Sequence, residues 1–228
     1  MTDDTNMDQI EFWNGDHGAA WARHAEIVDV MFAEIKPTIS SKLCAARADA
    51  AGLVNITFVL GDASVYPFAE NAFDALVSRL GAMFFDDPEE TFRRLVPALD
   101  PGGRIALGVW RGPRENLWAM GPVAAAREDP GPFSFADPDR VRSVLGGAGL
   151  TDIALAPLDF QIPLGRTLEE ALNFVMEMGP LSAPLATVAG DNRKKAIAAI
   201  TKVLQENQGD DGIVRLAGAC WIITARTP

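Results

Sequence analysis

The chain has 228 residues, 48% of them hydrophobic, and a formal net charge of −11. That is enough apolar sequence for one packed domain with a subsidiary cap. It lacks the clustered Lys and Arg whose counterion release gives a protein its grip on a nucleic-acid backbone. No stretch approaches the roughly 20 apolar residues of a membrane helix, and the acidic start MTDDTNMDQ is unlike a secretory signal. Cys44 and Cys220 stand in no metal-ligand or CxxC spacing. A cytoplasmic protein with reduced thiols and no metal, nucleic-acid or membrane partner is expected.

Residues 8 to 24 mix Ile10, Phe12, Trp13 and Trp21 with Asp16, His17, Arg23 and His24 around an Asn14-Gly15 turn signal, and read as an N-terminal helical cover. Ile27, Val30, Met31 and Ile35 form a helical stripe that Pro37 ends. Ser40 or Ser41 caps a helix through Leu43 and Ala51 that closes at Gly52. The apolar run Ile56 to Leu60 stops at Gly61-Asp62 as a buried strand does, and Phe73 to Ser78 is a second such run. Asp87-Pro88 opens a helix with Phe92, Leu95, Val96 and Leu99 on one face, and Asp100-Pro101-Gly102-Gly103 turns it into strand Arg104 to Trp110. A loop with Leu117, Trp118 and Met120 follows. Asp137-Pro138 starts another helix, carrying Val141, Val144 and Leu145 inward, and it leads to strand Asp152 to Leu158. Thr167-Leu168-Glu169-Glu170 is a capping box, a helix from about Asp191 aligns Ile197, Ile200, Val203 and Leu204, and Gly218 to Ala225 is the closing strand. The β/α alternation from 40 to 158 predicts a largely parallel sheet covered by helices.

Between residues 51 and 104 the motifs fall in a fixed order. They are Ala51-Gly52-Leu53-x-Asn55, Gly61-Asp62-Ala63, Pro67-Phe68, Phe73-Asp74, Ser78-Arg79, Met83-Phe84-Phe85, Asp87-Pro88 and Leu99-Asp100-Pro101-Gly102-Gly103-Arg104. Together they resemble the middle motifs of class I S-adenosylmethionine-dependent methyltransferases, in particular the small-molecule enzymes related to the quinone-biosynthesis C-methyltransferases. Trp13-Asn14-Gly15, Trp21 and the closing strand extend the resemblance over nearly the whole chain. It implies a single α/β domain with a truncated Rossmann-like fold: a mostly parallel sheet with an antiparallel last strand and a helical cap. Its parts are a cover at 1–37, a core at 38–158, the cap at 159–212 and the last strand at 213–228. The family's first strand, its acidic-Gly-x-Gly-x-Gly loop and its second strand would fall between Pro37 and Thr38, where the roughly 30 residues of a βαβ unit are absent.

By this resemblance Asp62 accepts a hydrogen bond from the cofactor's adenine, Ala63 offers a backbone N–H, Ser78, Arg79 and Leu80 flank the methionine portion, and Trp13 belongs to the same cofactor side. Plainer readings stand beside these. Asp62 is equally a turn residue, Ser78 to Leu80 a strand-end turn, the tryptophans core or cover, and Tyr66 a loop-packing group. His17 and His24 are candidate bases or solvated surface positions. No catalytic residue is named, because displacement at a sulfonium depends on alignment more than on a triad. The expected function is an S-adenosylmethionine-dependent methyltransferase-like protein acting on a small molecule, with an incomplete cofactor site and weak or lost activity. The alternatives are a non-enzymatic regulatory or interaction module, and an enzyme whose cofactor site another chain completes. Loss of the family's central strand predicts that Ile56 to Leu60 closes in parallel onto Phe73 to Ser78, in the order 56–60, 73–78, 104–110, 218–225, 152–158. A homodimer is expected from the apolar surface left behind.

Overall fold

The computed structural model describes residues 48, 50, 52–59, 61–119, 130–178, 185 and 187–228. The expectations for the cover around Trp13 and Trp21, the stripe at 26–35, Cys44 and Met120 lie outside the described residues, as does all but Ala48 and Ala50 of the helix starting near Ser40. Four described strands form a mixed sheet: β1 (Phe73–Arg79), β2 (Leu99–Trp110), β3 (Thr151–Gly165) and β4 (Val214–Arg226), in the order β1-β2-β4-β3. β1 and β2 are parallel, with Ala75 opposite Arg104 and Arg79 opposite Gly108. β4 runs against its neighbours. Arg111 N donates to Ala219 O while Thr227 N donates to Gly103 O, and Thr151 Oγ1 reaches Arg226 O while Gly218 faces Ile162. The antiparallel last strand and the order of these four strands are as the sequence predicts.

The described residues fall into two compact units. One comprises residues 48–110, 130–157 and 221–228. Here β1 crosses to β2 through helix α1 (Pro88–Leu95), whose start is set by Asp87: its carboxylate accepts from Glu90 N at 2.9 Å, with Pro88 in the first turn. Acidic Glu89 and Glu90 at the front and Arg93 and Arg94 at the back suit the helix dipole. α1 buries Phe92 and Leu95 and packs against α2 (Pro138–Gly147), which buries Val141, Val144 and Leu145. Ile105, Leu107 and Val109 of β2 and Ile223 of β4 are buried in the same unit. Each such aliphatic or aromatic side chain contributes about 1.5–3 kcal/mol on leaving water. Gly102 takes φ +72°, a left-handed turn that suits glycine. It lets β2 bulge between Leu99 and Arg104, the partners of Phe73 and Ala75, and Thr227 ties the bulge down through its Oγ1 to Asp100 O at 2.7 Å.

The expected strand at 56–60 is not a strand over residues 56–59, and β1 stands at the edge of the described sheet. The reason lies in the connection. Residues 61–72 are spent on local turns: Val65 N and Tyr66 N both donate to Asp62 O, Phe68 N donates to Tyr66 O, and Asn71 adopts φ +50°. Asn71 N and Ala72 N then bond to Pro97 O and Ala98 O, drawing the chain to β2. About a dozen residues are the minimum for a parallel crossover, and none of these remain for one. Val54 (96% exposed), Phe58 (41%) and Val59 (55%) stay in solvent.

The second unit comprises residues 111–119, 158–178, 185 and 187–220. β3 and β4 are longer than predicted, because Phe160, Ile162 and Leu164 keep the inward period of two, as do Val214 and Leu216. Helix α3 (Leu168–Met178) opens with Thr167 Oγ1 accepting from Glu170 N, as the capping box predicts, although the Glu170 carboxylate reaches back to Arg166 N. α3 packs on α4 (Gly190–Glu206), which buries Ile200 and Leu204. Gly165 is required because the backbone N of Ala171 lies 2.5 Å from where a Cβ would sit.

One polar side chain holds this unit together from within. Asn116 is fully buried; its amide N–H group is shared among the carbonyls of Arg111, Gly112 and Ala219 at 3.0–3.1 Å, and its Oδ1 accepts from Ala219 N at 2.8 Å and from Trp118 Nε1 at 3.0 Å. Asn116→Ala leaves several of these groups buried and unpaired at about 1–3 kcal/mol each. A loss of at least about 3 kcal/mol in chemical denaturation is expected, with Asn116→Asp no better, since it removes the donors and buries a charge.

Candidate functional site

Sheets of this kind bind ligands outside the C-terminal ends of their parallel strands. At that end of β1 the chain makes a tight, fully specified turn. Leu80 sits at φ +59°, and its N donates to Gly108 O at 2.8 Å. Ser78 Oγ accepts from Ala82 N at 3.1 Å, which starts the short helical turn Ala82–Phe84. Behind it Met83 is buried, with its carbonyl accepting from Ser134 Oγ at 2.6 Å and Gly131 N at 2.9 Å. A left-handed leucine costs about 1–2 kcal/mol, and such strain persists where the surroundings over-determine it, often at ligand sites. Ser78, Arg79 and Leu80, all half-buried, thus come together at one strand-end turn with a strained backbone at Leu80.

Asp62 and Ala63 form a separate, exposed turn. Asp62 Oδ1 accepts from Ser64 N at 2.9 Å and Ser64 Oγ at 2.7 Å, so the plainer role, turn formation, is the one this geometry displays. Tyr66 packs on Phe68 with ring centroids 4.6 Å apart, and Phe68 meets Phe73 edge-on at 6.0 Å. Trp110 is buried and Trp118 gives its indole N–H to Asn116, which are structural roles. Trp13, His17 and His24 lie outside the described residues. The sequence reading missed Leu80's strain and Asn116's clamp. Neither residue type carries a pattern that would have flagged it.

An open groove of about 500 Å³ is lined by Val77, Arg104, Ala106, Asp152, Thr224 and Arg226. It lies toward the N-terminal half of β2, away from the strand ends that present ligands. No group of three or more His, Cys, Asp or Glu among the described residues could hold a metal ion. Cys220 is buried, and burial pushes its thiol up to about 12, with the Arg111 charge opposing only in part. It is a neutral packing group at physiological pH.

Residues 16–107 match the family model of the methyltransferase domain. The demethylmenaquinone methyltransferase of Paenarthrobacter aurescens is 28% identical over 119 residues, covering 43% of this chain and 47% of that protein. The Thermus thermophilus protein of the same name is 35% identical over 83 residues, 36% of each chain. The chain spans about half the length, or less, of the curated relatives it matches. Among solved structures, the YcgJ protein of Bacillus subtilis has a TM-score of 0.51 at 15% identity, covering 82% of this chain and 77% of that one. A methyltransferase candidate of Bacillus halodurans gives 0.50 at 19% identity, with 82% and 78% covered. The fold is therefore the Rossmann-like fold shared with these structures. Over residues 16–107 the chain is similar to the methyltransferase domain, and these structures share its fold.

Two expected outcomes follow from the site's geometry. Leu80→Ile should be less stable than Leu80→Gly by about 1 kcal/mol in thermal unfolding, because a β-branched side chain tolerates positive φ worst; the reverse order would mean the turn is not strained. In a Cys44→Ser background, Cys220 should react with a thiol reagent at pH 8 at least about a hundredfold more slowly in the native than in the denatured state. Because its pKa is raised on folding, its contribution to stability is complete below the unfolded value of about 8.5 and is lost as pH climbs toward about 12.

Proposed function

We propose that this protein is an S-adenosylmethionine-dependent methyltransferase-like protein directed at a small molecule, with an incomplete cofactor site and weak or lost activity. The observation that carries the reading is the strained turn at Leu80, at the ligand-binding end of β1, inside the stretch that matches the methyltransferase domain. The cofactor would supply a methyl group activated for displacement by its positive sulfur. Of the groups it needs, this chain offers some. Arg79 suits the carboxylate of the amino-acid portion and Ser78 its polar edge. Asp62 and Ala63 are the candidates for the adenine, with Asp62 Oδ1 already engaged by Ser64, and Trp13 remains a cofactor-side candidate.

The sequence supplies no glycine loop and no ribose-binding carboxylate between Pro37 and Thr38. Two charge-assisted hydrogen bonds to a ribose contribute about 1.5–3 kcal/mol each, so their loss weakens binding by roughly 10² to 10⁴-fold. A micromolar site becomes a site in about the millimolar range. The second reading, a non-enzymatic interaction module, is favoured by the exposed apolar segment at 53–59. The names of the curated relatives make demethylmenaquinone the first acceptor to test.

At about 0.1 mM, adenosylmethionine or adenosylhomocysteine should raise the melting temperature by less than about 1 °C, since stabilisation follows ligand concentration over Kd. At about 10 mM a shift should appear and shrink in Asp62→Ala. A clear shift at low-micromolar ligand would overturn the incomplete site. No shift at any concentration, with no labelled methyl passed to demethylmenaquinone, would favour the interaction module.

A further inference from the structure

We propose that β1 is a dimerisation edge: two copies of this chain pair their β1 strands antiparallel about a two-fold axis through Ala75, joining their described four-stranded sheets into one continuous sheet. In a strand, the backbone N–H and C=O of successive residues point to alternate sides. Ala72 N and Leu80 N both bond toward the β2 side, to Ala98 O and Gly108 O. The even-numbered residues between them therefore face β2, and the backbone groups of Phe73, Ala75 and Val77 face away from it. No described strand pairs with that side.

Edge strands of soluble proteins are usually blunted by Lys, Pro, a bulge on the open side or a covering element. Phe73–Arg79, FDALVSR, has neither Lys nor Pro, and its register irregularity is on the β2 side. Its apolar side chains are open, with Phe73 47% and Val77 59% exposed. The segment expected to close the edge, 56–60, forms no strand over its described residues 56–59.

What selects a second copy is the strand's self-complementarity. Antiparallel pairing must match odd residues with odd. With Ala75 opposite its own copy, Phe73 falls opposite Val77 and Val77 opposite Phe73, two aromatic to β-branched pairs of the kind that stabilise antiparallel sheets. The net charge of −11 opposes self-association in general, but this edge is exempt. Its one carboxylate, Asp74, lies 3.6 Å from Arg104 of the same chain and falls opposite Leu76 of the other copy. The contact uses the edge once in each copy, so it closes at two and does not grow into a fibre.

Sedimentation of the wild-type protein between about 1 and 100 µM should show a monomer–dimer equilibrium, and Val77→Lys, which sets lysine opposite Phe73, should weaken it at least tenfold. In a Cys44→Ser background, Ala75→Cys should crosslink to its copy with a short bis-thiol reagent, because facing residues in a hydrogen-bonded pair have Cα atoms about 5.5 Å apart. Thr224→Cys, two strands inward, should not. A monomer throughout that range overturns the proposal. So does a dimer that crosslinks at Thr224 and not at Ala75. Should Val77→Lys fail to fold, the wild-type mass and the crosslinking pair decide alone.

Discussion

The parallel pairing of β1 with β2 is the constraint on which the other features of this structure depend. It forces a crossover, which α1 supplies, and α1 in turn brings Phe92 and Leu95 into the core of its unit. It fixes the register that sets Arg79 opposite Gly108, and Leu80 N continues the ladder by donating to Gly108 O. The chain leaves the strand there, with Leu80 in a left-handed conformation that leucine otherwise avoids. The strained turn at the candidate site is thus anchored at its start by strand pairing, and beyond it by Ser78 Oγ accepting from Ala82 N and by the buried Met83.

The two units solve the burial of polar groups differently. In the unit containing β1 and α1, helix starts are satisfied by side chains next to them in sequence, Asp87 and Asp137, at little cost in chain entropy. In the unit containing α3 and α4, Asn116 collects backbone groups from residues five positions and more than a hundred positions away. Such a network raises the stakes of any single change, since a buried polar cluster is worth most when complete and costs most when broken. It also explains why the loop after Trp110 includes a fully buried polar side chain.

The proposed function and the proposed dimer edge are linked by one reading of the chain, that a segment expected from the resemblance is missing between Pro37 and Thr38. In folds of this kind a glycine loop and its following carboxylate supply much of the polar grip on a nucleoside. Ser78 and Leu80 depend on neither for their local geometry, since Leu80 N donates to Gly108 O of β2 and Ser78 Oγ accepts from Ala82 N. Among the described strands none pairs with the outer side of β1. On that reading, a weakened cofactor site and an edge open to a second copy are two consequences of one change in the chain.

Local signals in the sequence determined most of the elements. Asp-Pro pairs at 87–88 and 137–138 start α1 and α2, the capping Thr167 starts α3, and the apolar runs at 73–78, 104–110, 152–158 and 218–225 all became strands in the predicted order. Caps and periodicity act within a few residues, so the sequence displays them directly. The run at 56–60 had the same apolar signature and made no strand over 56–59, because a strand also needs a partner within reach, and the turns at Asp62 and Asn71 spent the connection that would have carried it there. Leu80's conformation, the closure of Asn116's hydrogen bonds and the open side of β1 were likewise decided only by the tertiary structure. Each depends on which distant residue comes to lie alongside, a property of the fold that no single residue or short spacing encodes.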